Sequence, residues 1–110
     1  RTLHKMKRRG VIRLGSYVGA GGLLPRRARG LRAGAVVLRP GKIMDWHSTK
    51  SREELLITLQ GLVRVEVQRP HRTLRRIPLK NGACLLLPPH TRHRVVNAAK
   101  KPAHYLYITA

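Results

Sequence analysis

The chain reads as an all-β domain, a small antiparallel β-barrel, and three observations point there. Short strand-like segments separated by turn residues recur about every ten residues from Ala35 onward. The segment LVRVEVQ alternates strictly, with Val63, Val65 and Val67 on one face and Arg64, Glu66 and Gln68 on the other, which is the signature of a half-buried strand. No segment carries the periodicity of an amphipathic helix of ordinary length.

Taken in order, VIRLGSYV (Val11–Val18) has enough β-branched and aromatic character for one strand. AVVLRPG then reads as strand and turn, punctuated by Pro40-Gly41. LLITLQ is a strand closed by Gly61, and LVRVEVQ is the next. TLRRIPL follows, and Pro78 within it predicts an edge strand or a bulge, because proline cannot donate to a ladder. Asn81-Gly82 is a tight-turn signal. ACLLLPP, HRVVN and HYLYIT complete the set. Residues 1–30 are rich in Arg, Lys and Gly and form a basic arm able to supply one swapped strand; residues 31–110 form the barrel.

At 110 residues the chain suits one domain with one modest core. A hydrophobic fraction of 42% is too high for a disordered chain of this charge. A single cysteine, Cys84, excludes an internal disulfide and is expected as a small buried hydrophobe. No apolar run is long enough for a membrane span and no signal-peptide pattern follows the basic start, so a cytoplasmic location is expected. The formal net charge is +20, from 24 Lys and Arg against Asp45, Glu53, Glu54 and Glu66. That field attracts anionic ligands. The basic residues run from Arg1 to Lys101, no nucleic-acid motif accompanies them, and few aromatics are present for stacking. The expectation is a solvated basic surface that meets nucleic acid only non-specifically.

Two stretches hold most of the potential metal ligands. One runs Gly41, five residues, His47-Ser48-Thr49, four residues, Glu54, six residues, Gly61. The other runs Gly82, five residues, Pro88-Pro89-His90, two residues, His93, three residues, Asn97. In order and spacing they resemble the two motifs of the cupin superfamily. Two positions depart from it: Thr49 stands where a second metal histidine is usual, and His90 where a turn glycine is usual. The resemblance implies a jelly-roll (double-stranded β-helix) barrel. It also implies one divalent transition metal (Fe, Mn, Ni or Zn) on His47, Glu54 and His93. The run to Gly61 favours Glu54 over its neighbour Glu53 as the ligand. His4, His71 and His104 lie outside both motifs.

Residues two apart on a strand share a face, so Thr49 is expected beside His47, and a histidine restored there should tighten metal binding. Two imidazoles and a carboxylate with open positions are the ligand set of non-haem iron(II) oxygenases and also suit other divalent ions. Asp45, Thr49 and Thr58 are expected to line the ligand side and to orient a substrate. For Asp45, a rim residue paired with an arginine is an equal reading. The resemblance implies a metal-dependent enzyme of dioxygenase, isomerase or lyase type acting on a small organic, sugar-like or anionic molecule. The alternative is a non-catalytic binding module for such molecules. A homodimer, joined through a sheet edge or by exchange of N-terminal strands, is also expected.

Overall fold

A computed structural model describes residues 21–24, 28–68 and 73–110. Its nine strands are β1 (Gly21–Gly22), β2 (Arg32–Leu38), β3 (Ile43–Ser48), β4 (Glu54–Gln60), β5 (Leu62–Gln68), β6 (Leu74–Lys80), β7 (Cys84–Leu87), β8 (Arg92–Val96) and β9 (Ala103–Thr109). They form two antiparallel sheets, ordered β1-β2-β9-β4-β7 and β3-β8-β5-β6. Neither sheet closes on itself; the two lie face to face in a jelly roll. Among the described residues there is no helix, and so none long and apolar enough to cross a membrane. The segment Val11–Val18 and most of the basic arm lie outside the described residues. Of the described part of that region, Gly21–Gly22 pairs with β2 of the same chain.

The core lies between the sheets. Leu38, Leu56, Leu87, Ala103 and Tyr105 from the larger sheet meet Val63, Val65, Leu79 and Val95 from the smaller one. The alternation read in LVRVEVQ puts Val63 and Val65 inside as expected. Pro78 falls in β6, the edge of the smaller sheet, as its missing amide requires.

Turn chemistry sets the strand ends. Gly61 joins β4 to β5 at a φ of +89°, and a Cβ there would stand 3.0 Å from the Pro102 carbonyl oxygen, so only glycine fits. His90 takes a φ of 57° at the β7–β8 turn, the left-handed conformation anticipated for the residue replacing a turn glycine. Asn97 is fully buried and knits the opposite end: its Nδ2 donates to the Leu38 and Lys101 carbonyls (2.8 and 2.9 Å) and its Oδ1 accepts from the Ala99 amide.

Two side chains depart from expectation. Cys84 is exposed rather than buried, because β7 is an edge strand whose alternate residues, Cys84 and Leu86, face outward. Glu66, on the polar face of β5, is 1% exposed. Burial alone would push its carboxyl pKa up, but hydrogen bonds and charge from Arg94 and Arg64 outweigh this and hold it below the usual carboxylate value.

Candidate metal centre

His47 lies near the end of β3 and pairs in register with His93 of β8. Their rings sit 4.3 Å apart, centroid to centroid, tilted by 57°. Glu54 opens β4, which belongs to the facing sheet, so the group spans the gap between the two sheets. The ligand atoms of His47, Glu54 and His93 lie within 4.8 Å of one another. Glu54 and His93 are buried; His47 is exposed at the rim.

Hydrogen bonds fix the imidazoles. His47 Nδ1 lies 2.8 Å from the Asp45 carbonyl oxygen, and His93 Nδ1 lies 3.1 Å from that of Thr91. A carbonyl only accepts, so each Nδ1 carries the proton. In the neutral rings each Nε2 is then an unprotonated lone pair. His93 Nε2 is buried without a hydrogen-bond partner among the described residues, and it stands 3.4 Å from Glu54 Oε2. Two lone pairs and a carboxylate converging on one point repel one another unless a cation joins them, and a backbone acceptor behind each imidazole is the usual outer support of a metal-bound histidine. The residues therefore fit a divalent ion.

The group faces a cavity of about 690 Å3 whose lining includes Arg32, Met44, Lys50, Tyr105 and Tyr107. That volume suits a small organic ligand. Tyr105 and Tyr107 alternate inward along β9, outside both motifs. Their one signal was the alternation in HYLYIT. Burial, then the Glu54 carboxylate, pushes the Tyr105 pKa far above its ordinary value, so its hydroxyl stays protonated. Tyr107 lies against Gly34, where a Cβ would come within 2.6 Å of ring atom Cε2.

The three residues expected to line the ligand side stand differently. Thr49 lines the cavity, but it lies beyond β3, and its hydroxyl donates to the Pro88 carbonyl (2.7 Å) and accepts from the Thr91 amide (3.0 Å). Asp45 falls where the β3–β8 register shifts between Met44 and His47; it is exposed, and its carboxylate accepts the Trp46 amide (2.7 Å). Thr58 lies deeper along β4, fully buried, its Oγ1 without a hydrogen-bond partner among the described residues. An unpaired buried hydroxyl costs about 1–3 kcal/mol, so Thr58→Val is expected to raise stability by about 1 kcal/mol, read as a higher urea midpoint. An unchanged or lower midpoint would mean that the hydroxyl has a partner in solution.

Comparison with known proteins agrees with this geometry. Among curated proteins, the chain is 31% identical over 86 residues to a glucose-6-phosphate isomerase of Pyrococcus abyssi, covering 71% of this chain and 46% of that one. The corresponding enzyme of Thermococcus onnurineus is 27% identical over the same shares. The chain thus spans about half the length of these relatives. Among solved structures, the cupin domain of Schizosaccharomyces pombe Cnp3 matches with a TM-score of 0.69 at 21% identity, over 83% of this chain and 59% of that one. An oxalate oxidase matches with a TM-score of 0.68 at 18% identity, over 73% and 41%. These two likenesses are of fold. The family model for the cupin domain matches residues 34–109, which takes in all three clustered side chains, and the chain belongs to that family.

Proposed function

We propose that this cupin is a metal-dependent enzyme of isomerase, lyase or dioxygenase type acting on a small, sugar-like or anionic molecule. The observation that carries the reading is the pair of imidazoles held with Nε2 toward Glu54 at the foot of an open cavity. His47, Glu54 and His93 would hold the ion. Bound there, a divalent ion supplies Lewis acidity toward a carbonyl or hydroxyl, or redox chemistry if it is iron. The chain's own residues do the rest. Arg32 and Lys50 line the cavity and favour an anionic group on the substrate. Tyr105 keeps its proton as a hydrogen-bond donor beside Glu54. Thr49, with its hydroxyl engaged, shapes the cavity wall. The sugar phosphate in the name of the curated relatives is of the class such a cavity would take.

Elemental analysis of protein purified without chelators tests this. About one equivalent of a transition ion per chain is expected, together with turnover of a phosphorylated sugar or hydroxy acid. Protein that purifies without metal, takes up none and still binds small anions would make the chain a non-catalytic binding module.

A further inference from the structure

The fold does to the positive charge what the order of residues along the chain does not show. Strand alternation turns Arg64 of β5, Arg76 of β6, and Arg92 and Arg94 of β8 onto the outer face of the smaller sheet, opposite the metal cluster. Glu66 lies at their centre. Arg94 Nε donates to its Oε1 at 2.6 Å, Arg64 Nε to its Oε2 at 2.8 Å, and Arg76 Nε stands 3.5 Å from Oε2. Trp46 of β3 flanks the group, with the guanidinium carbons of Arg94 and Arg92 lying 4.9 and 5.7 Å from its ring centroid. The outer face of the larger sheet carries Leu55, Ile57, Leu86 and Ile108 instead. Among the described residues, the outer faces of the two sheets thus differ, one carrying this arginine group and the other apolar side chains.

We propose that this face is a binding surface for the phosphodiester backbone of nucleic acid. Glu66 accepts from Arg64 and Arg94 through Nε, which fixes the planes of those two guanidiniums and leaves their terminal Nη groups to meet another acceptor, while Arg76 stands at the edge of the pair. A planar fork so held matches the paired oxygens of a phosphate. Arg92 and Arg94 stand about 7 Å apart along one strand, and their neighbours lie about 5 Å away across the sheet. The result is a two-dimensional field of forks suited to a chain of regularly spaced anions. A second copy of this chain would bring like charge to like. Recognition is blind to sequence, since a backbone carries no base information.

The test compares two variants that each remove two charges from exposed positions. Arg76→Gln/Arg92→Gln alters the face without removing the two short hydrogen bonds to Glu66, and Lys100→Gln/Lys101→Gln lies off the sheets. Fluorescence anisotropy of the full chain with a labelled single strand of about 20 nucleotides, and with a duplex of the same length, reads the affinity. In about 0.1 M salt the arginine pair is expected to lose at least about 10-fold and the lysine pair less than about 3-fold. The duplex salt slope should fall by about 1.8 for the arginine pair, about 0.9 for each lost phosphate contact. The tighter of the two probes then identifies the source of the backbone. Equal losses in the two variants would show bulk charge alone and overturn the proposal. So would polyglutamate competing as well as nucleic acid at equal charge.

Discussion

Replacing Glu54 by alanine is expected to weaken divalent-metal binding by more than about 100-fold. Loss of a group that merely supports a ligand already costs about 10–100-fold, and Glu54 would be one of three direct ligands and the only one with a charge. Glu53→Ala serves as the control. The two are neighbours, but Glu53 meets Ala110 through its backbone, exchanging hydrogen bonds with it at 2.9 and 3.1 Å, while the carboxylate of Glu54 lies in the cluster. Metal titration followed by calorimetry should show Glu53→Ala binding as wild type. Acid should weaken binding in both, because protons compete for the lone pairs. If Glu53→Ala loses the metal and Glu54→Ala keeps it, the assignment is displaced by one residue. Thr49→His, which strand alternation alone marks as a gain, is expected to lose stability by about 1–3 kcal/mol, since it breaks the hydroxyl's bonds to Pro88 and Thr91.

Glu66→Ala should have the largest effect on stability. Breaking a buried ion pair costs about 3–5 kcal/mol where the orphaned charge stays buried. Here the side chains of Arg94, Arg64 and Arg76 are 29%, 39% and 62% exposed and can turn to water, so about 2–3 kcal/mol is expected. For a domain of this size that lowers Tm by roughly 10 °C or more. The pH dependence has a definite sign. The folded carboxyl is held below its ordinary value of 4.5, so the stabilisation is complete above that value and fades as pH falls through the lower folded one. Glu66→Gln should remove this component, and the difference in unfolding free energy between wild type and variant should narrow on acidification below about pH 4. A constant difference from neutral pH down to pH 3 would show that Glu66 acts through packing rather than charge.

The histidines of the cluster were legible because their positions are set locally. His47 and His93 follow turn residues at fixed spacing, and a strand's period of two decides which way each points. Glu54 was legible as a candidate from its distance to Gly61. That it comes from the facing sheet was not, because its place depends on β4 pairing with β7 and β9, tens of residues away. The same long-range pairing hid Tyr105. Glu66 shows how a correct local reading can mislead: it does sit on the polar face of β5, yet arginines from β6 and β8 close over it. Cys84 misled in the opposite sense, since an apolar run in an edge strand still turns half its residues outward.

Strand β8 alternates Arg92, His93, Arg94, so one ribbon of backbone presents an imidazole to the cavity and guanidiniums to the opposite side. Their separation is a matter of phase. A slip of one residue would carry two cations into the metal cavity and expel its buried histidine, abolishing both surfaces at a stroke. The phase is set just before the strand begins, where the Thr49 hydroxyl clasps the Pro88 carbonyl and the Thr91 amide and the His90 amide meets the Lys50 carbonyl at 2.6 Å. At the position that departs from the usual ligand set, the chain thus carries a registration pin.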